Sequence, residues 1–255
     1  MFQLFELDNN VHYIYNVHKL VNIKEEVNFM KKQRKMKNVF ADKASLILRK
    51  MILDPDKKWV VRDFVGPQSV SLGMAQEVLE VMAWKGYVER IKKGPESYTI
   101  LTNQERLIED WLRQYHFELN EIDTYYNPEK DIIKRIKANL NENKYALTLH
   151  TGANLITNFV RTNHIYFYLN TQVWHEDILE IRQRLELKEL VKGGNIHVIR
   201  PYYKNGVFFN PQKIKKYKVV SNLQLYLDLY HFQPRGREHA EYLKKSLKEK
   251  GIHLD

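Results

Sequence analysis

Between residues 62 and 93 the sequence sets out two kinds of chemistry-bearing side chain. Gln68, Ser69, Ser71, Met74 and Gln76 offer short hydrogen-bonding and apolar groups of the size that reaches base edges or phosphates. Arg62, Arg90, Lys92 and Lys93 offer positive charge for a phosphate backbone. No arginine lies within 69–84, so a bidentate guanine contact from that stretch is not expected. Catalytic arrangements are poorer. The chain has no cysteine, which excludes thiolate zinc sites, disulfide scaffolds and cysteine nucleophiles. Its ten histidines form no HExxH or His-x-His pattern with carboxylates at ligand spacing. His175-Glu176-Asp177, the densest group, reads as the acidic start of a helix rather than a metal site. Ser221 lacks a Gly-x-Ser-x-Gly elbow and reads as a helix cap. Gly193-Gly194-Asn195 reads as a turn, because no helix start follows to complete a phosphate loop. No catalytic residue, metal site or cofactor is expected.

The elements that must position the first set follow from periodicity. Leu72, Ala75, Val78, Leu79 and Met82 recur at i, i+3, i+4 spacing, the signature of a helix with one apolar stripe. Ser69 and Ser71 can cap its start and Gly86 can end it. Residues 87–91 and 97–101 then alternate around Lys92-Lys93-Gly94-Pro95-Glu96, which predicts a two-stranded hairpin with a basic tip. Upstream, Ala41, Ala44, Ile47, Leu48, Met51 and Ile52 place a first helix at 39–53, ended by Asp54-Pro55-Asp56. Residues 59–65 predict a short second helix closed by Gly66-Pro67. Helix, short helix, helix and hairpin is the order of a winged helix-turn-helix, whose third helix enters a DNA groove while the hairpin reaches the backbone.

At 255 residues the chain suggests more than one domain. Its net charge is +10, but residues 39–115 hold twelve Lys and Arg against eleven Asp and Glu. The excess sits in 31–37 and in the run Lys213-Ile214-Lys215-Lys216-Tyr217-Lys218. Charge alone is therefore weak support for DNA binding by the middle of the chain. No apolar run approaches the roughly 20 residues that span a bilayer, and residues 1–10 lack signal-peptide order, so a cytoplasmic protein without membrane contact is expected.

Residues 2–6 and 11–17 read as an N-terminal hairpin, with a basic linker completing 1–38; the winged helix-turn-helix occupies 39–116. A further helix, 104–115, buries Leu107, Ile108, Trp111 and Leu112. The aromatic stretch 116–128 reads as an irregular connector. From 129 to 250 the pattern is helix 131–140, strand 145–149, a turn at His150 leading into a helix, strand 164–169, helix 177–186 and strand 196–201. A further strand is expected at 207–210, and 236–249 reads as a charged amphipathic helix. The expected class is α+β: a winged helix-turn-helix followed by a small α/β domain.

The segment Val219-Val220-Ser221-Asn222-Leu223-Gln224-Leu225-Tyr226-Leu227-Asp228-Leu229, with Arg235-Gly236-Arg237-Glu238-His239-Ala240-Glu241-Tyr242-Leu243, resembles the ending of AbiEi-type antitoxins of type IV toxin–antitoxin systems. Tyr145-Ala146-Leu147-Thr148 with Gly152 and Ala153, and the turn Val70-Ser71-Leu72-Gly73, are similar to the same family, over roughly residues 40–247. The resemblance implies a transcriptional regulator that binds double-stranded DNA at its own promoter and a C-terminal domain that neutralises a nucleotidyltransferase-like toxin or, where no such toxin exists, makes another protein contact. It also implies a C-terminal fold of degenerate nucleotidyltransferase type and, from longer relatives, a chain truncated at its start. Nucleotidyl transfer needs a phosphate turn and paired carboxylates for Mg²⁺. Here His150-Thr151-Gly152-Ala153 stands at the turn and the strand after it carries no carboxylate, so catalysis is not expected. With so few cations in the reading helix, useful affinity would come from a homodimer. The alternative is a protein-interaction module in which the winged helix is a dimerisation scaffold.

Overall fold

A computed structural model describes residues 38–252 and 254. The expected N-terminal hairpin and basic linker lie outside them. Val39–Asp255 forms one compact unit of mixed α+β structure. Among the described residues it has eight α-helices, one two-stranded sheet and one six-stranded sheet.

The first half opens with α1 (Asp42–Leu53), whose Ala44, Ile47, Leu48, Met51 and Ile52 are buried. It begins at Asp42 rather than residue 39, because Val39 and Phe40 are drawn into the core as a turn. The expected second helix contracts to a single 3₁₀ turn, Val61–Phe64. Trp59 leaves it to form an antiparallel bridge with Thr99, donating to its carbonyl at 2.9 Å and accepting from its N–H at 2.8 Å. α2 (Leu72–Trp84) follows, then the hairpin of β1 (Val88–Ile91) and β2 (Tyr98–Leu101). Gly86 ends the helical segment with φ +74°, a conformation that an L side chain resists. α3 (Gln104–Leu112) is capped by the Asn103 side chain, which accepts from Arg106 N–H at 3.1 Å.

The second half is a six-stranded sheet in the order β3-β6-β5-β4-β8-β7. Its strands are β3 (Glu121–Tyr125), β4 (Tyr145–Leu147), β5 (Ile165–Leu169), β6 (Ile196–Arg200), β7 (Gln212–Ile214) and β8 (Tyr217–Val219). β5 pairs with β6 and β4 with β8 in parallel; the other neighbours run antiparallel. Around it lie α4 (Ile132–Asn139), α5 (Leu149–Thr157), α6 (Trp174–Arg184), α7 (Asn222–Tyr230) and α8 (Gly236–Glu249).

Two expectations are corrected here. The connector 116–128 contains β3, an edge strand that leaves Glu121, Ile122 and Thr124 exposed and buries Tyr125, with the neighbouring Asn127 also buried. The strand expected at 207–210 is a series of turns, with Val207 N–H donating to the Tyr203 carbonyl and Phe209 N–H to that of Gly206; Asn205, Gly206, Asn210 and Pro211 favour that outcome. The next strands, β7 and β8, begin only at Gln212 and Tyr217.

The two halves share a core. Arg49 of α1 is fully buried, lies 5.0 Å over the Trp111 ring and donates to Gln224 Oε1 of α7 at 2.7 Å. Trp111 Nε1 donates to Tyr203 Oη at 3.1 Å, and Tyr203 Oη donates in turn to the Phe40 carbonyl. The Asp42 carboxylate accepts from the backbone N–H groups of Asn205 and Gly206 at 2.9–3.1 Å.

Candidate nucleic-acid interface

α2 owes its position to its sequence pattern. Ala75, Val78, Leu79, Val81 and Met82 are buried, and Ser71 Oγ caps the start by accepting from Met74 N–H at 3.3 Å. That leaves Gln68, Ser71, Leu72, Gly73 and Gln76 exposed at the helix start, with Met74 half-buried beside them. Ser69 behaves differently from expectation. Its hydroxyl donates inward to the Phe64 carbonyl, closing the turn before α2, so its proton is not available to a ligand in this arrangement.

The hairpin packs along the same helix. Arg90 of β1 reaches Glu80 of α2 at 3.9 Å and is half-buried, so part of its charge is already answered within the protein. Lys92 and Lys93 stand exposed at the tip and join no ion pair among the described residues. The tip is ordered by Ser97, whose hydroxyl donates to the Gly94 carbonyl at 2.7 Å and accepts from Lys93 N–H at 2.9 Å. Arg62 is exposed on the 3₁₀ turn.

Two cations were missed in the sequence. The Trp59–Thr99 bridge lays residues 57–59 against β2, which carries Lys58 Nζ to 5.1 Å over Tyr98 and Lys57 Nζ to 4.1 Å over Trp59. Lys57 also sits 3.8 Å from Asp63. Both lysines are exposed and extend the basic edge of the hairpin. The signal for them was the pair Lys57-Lys58 before an aromatic residue, obscured by reading Trp59 as helical.

The second half of the chain has chemistry of a different kind, and it is internal. His150-Thr151-Gly152-Ala153 is not an open turn but the first turns of α5, and it is buried. A Cβ on Gly152 would lie 2.9 Å from Leu225 and Val219 side chains, so glycine there answers a close helix–sheet approach rather than a phosphate. Thr151 Oγ1 donates to the His164 carbonyl and accepts from Tyr166 N–H. His150 Nδ1 lies 2.8 Å from His239 Nδ1, His239 Nε2 lies 2.8 Å from Thr157 Oγ1, and His150 Nε2 lies 3.2 Å from the Pro234 carbonyl. With both rings neutral, His150 donates to Pro234 and His239 to His150, which requires Thr157 to turn its hydroxyl proton from the Ala153 carbonyl, 2.9 Å away, to His239 Nε2. Burial, then the neighbouring ring, drives the His239 pKa down to about 3. A similar pair, His164 Nδ1 and His197 Nε2 at 2.9 Å, holds His197 at about 4 for the same reasons.

Asp228 of α7 is the other buried group. Burial raises its pKa to about 6, although it accepts from Thr148, Tyr115 at 2.7 Å, Gln224 at 2.7 Å and Tyr168 at 3.1 Å. Those three hydroxyls and the Gln224 amide fill the carboxylate's acceptor sites, as in a structural network. Ser221 caps α7 by accepting from Gln224 N–H at 3.2 Å, and His175, Glu176 and Asp177 fall in the first turn of α6, where Asp177 pairs with Lys144 at 2.8 Å. No group of three or more His, Cys, Asp or Glu positioned to hold a metal ion occurs among the described residues. No helix among them is long and apolar enough to cross a membrane.

Residues 100–249 match a family model described as the transcriptional regulator AbiEi antitoxin of type IV toxin–antitoxin systems. The match spans more than half of the chain and runs from the end of β2 to the end of α8, leaving α1 and α2 outside it. No curated protein and no solved structure matches the chain.

Proposed function

The chain belongs to the AbiEi antitoxin family of transcriptional regulators of type IV toxin–antitoxin systems, and from that premise we propose that residues 39–116 act as a winged helix-turn-helix that binds double-stranded DNA. The observation that carries this reading is the pairing of an exposed α2 start with the lysine-bearing hairpin tip. Gln68, Ser71 and Gln76, with Met74 beside them, present donors, acceptors and a thioether to a groove. Lys92, Lys93 and Arg62 take the flanking phosphates, joined by Lys57 and Lys58. Arg90 contributes less, since Glu80 competes for it. Ser69 acts by closing the turn that aims α2.

With few base-reading cations, one copy binds weakly and a homodimer binds usefully. The segment 129–250, of degenerate nucleotidyltransferase character, meets a nucleotidyltransferase-like toxin without catalysing nucleotidyl transfer, and the protein works in the cytoplasm. The test is binding to duplex DNA from upstream of the chain's own gene. Lys92→Glu/Lys93→Glu is expected to weaken binding at least tenfold at about 0.1 M salt, because two phosphate contacts become repulsions. Wild-type affinity in that variant would overturn the assignment and favour the hairpin as a dimerisation scaffold.

A further inference from the structure

The first and second halves meet along a groove that neither the DNA-reading surface nor the buried networks use. α3 forms one wall and α8 the other, with the rings of Tyr226 and Tyr230 of α7 between them, around about 500 Å³. The floor is apolar: Ile108 and Leu112 of α3, Leu247 of α8 and Leu254 beyond it are all buried. The backbone leaves α8 through a glycine turn that folds the next residues back toward this floor. Gly251 has φ +67°, its N–H donates to the Lys248 carbonyl at 3.0 Å, and the Ile252 N–H donates to the Leu247 carbonyl at 3.0 Å. Ile252 is left at the groove with 47% of its surface exposed.

The two walls carry opposite charge at matching spacing. Glu105 and Glu109 lie one helical turn apart on α3, and Lys244 and Lys248 lie one turn apart on α8. All four are exposed and none joins an ion pair among the described residues, although their neighbours do: Asp110 pairs with Arg113 at 2.7 Å and Lys245 with Glu249 at 3.9 Å. Lys244 Nζ has only the Tyr226 ring, at 5.8 Å. The groove holds the rows apart, so neither answers the other, and like charges one turn apart on a helix repel. A second copy of the chain answers both rows. A two-fold axis along the groove turns one copy over onto the other and exchanges the walls, so that the acidic row of each faces the basic row of its partner at the same spacing. Ile252 of each copy then closes over apolar lining of the other. A two-fold axis across the groove would set acid against acid, so the charges select one orientation. The charged groups all stand on exposed rims, so nothing in the lining fixes one compact small ligand.

We propose that this groove is the homodimer interface, with α3 of each copy set against α8 of the other. The proposal rests on the homodimer reading above and supplies the surface for it. Exposed ion pairs contribute little each, so the charged rows set orientation and partner choice while the apolar floor supplies most of the attraction. The experiment measures molecular mass by sedimentation equilibrium for the full chain, for Glu105→Lys/Glu109→Lys, for Lys244→Glu/Lys248→Glu, and for an equimolar mixture of the two variants. All four positions are exposed, so circular dichroism should show the fold retained in both. The wild type is expected to dimerise, and each variant alone, its facing rows now of like charge, to dimerise at least tenfold more weakly at about 0.1 M salt. The mixture is expected to recover the dimer, because the all-basic walls of one variant meet the all-acidic walls of the other. Variants that dimerise as the wild type does overturn this interface and leave the homodimer reading standing. Weakened variants whose mixture fails to recover also overturn it, since the loss then does not come from rows facing each other across two copies. A wild type that stays monomeric up to on the order of 0.1 mM overturns both readings and leaves the groove to a different partner.

Discussion

Asp228 and the paired histidines pull the pH dependence of stability in opposite directions. His239 and His197 have native pKa values of about 3 and 4, below the unfolded value near 6.5. Their protons are taken up only on unfolding, so their contribution is present above about pH 6.5 and is lost as pH falls toward those native values. Asp228, raised to about 6, binds its proton more readily when folded, so its contribution is fully present below about pH 4 and is lost as pH rises through 6. Two histidines against one carboxylate make these groups, taken together, acid-destabilising. Urea midpoints measured at pH 7 and pH 4.5 are expected to show a smaller acid-induced fall in His239→Gln than in the wild type. Asp228→Asn is expected to show a larger one, since the variant loses the term that strengthens in acid. A steeper fall in His239→Gln would contradict the neutral relay through His150. None of this was legible in the sequence, where His150 and His239, like His164 and His197, are far apart and only the fold stacks each pair.

At the scale of elements, legibility followed burial. α2, α3 and α8 were readable because each buries one stripe and solvates the rest, and Gly86 marked a helix end that its φ of +74° required. β3 and the β7–β8 pair were not readable: β3 and β7 are the two edge strands, β7 and β8 have only three residues each, and in β3 the exposed face mixes Glu121, Ile122 and Thr124, so no alternation of apolar groups survives. The second helix failed for another reason: Trp59 gains two backbone hydrogen bonds from Thr99, a long-range pairing that local propensity cannot register. Two substitutions test the elements that remain. Ser71→Ala removes the α2 cap and is expected to cost about 1 kcal/mol of stability, read as a lower urea midpoint. Gly152→Ala forces a methyl against Leu225 and Val219 and is expected to cost about 1–3 kcal/mol by overpacking. If Gly152→Ala melts as the wild type does, the close approach of α5 to the sheet is wrong.

For the molecule as a whole, the proposed reading and toxin-facing segments are joined through groups that neither could leave exposed. Arg49 of α1 is buried against Trp111 and Tyr203 and bonded to Gln224, which bonds in turn to Asp228 in the centre of the second half. A buried guanidinium deprived of its acceptor retains its desolvation cost, so the halves are held together by a penalty for separation as much as by attraction. Aromatic stacking of Tyr115 on Tyr203, at 5.0 Å between centroids, adds apolar area to the same junction. The consequence is cooperative unfolding across residues 39–255. Tryptophan fluorescence, which reports Trp59, Trp84 and Trp111 in the first half and Trp174 in the second, should give the same urea midpoint as far-ultraviolet circular dichroism. Gln224→Leu, which removes one acceptor of Arg49 from a helix of the second half, should lower both midpoints together, a loss of roughly 2–4 kcal/mol of stability. Two separated transitions, or a Gln224→Leu variant in which only one probe shifts, would show that the first half folds without the second. In that case a fragment ending near residue 116 should bind the upstream duplex as the whole chain does.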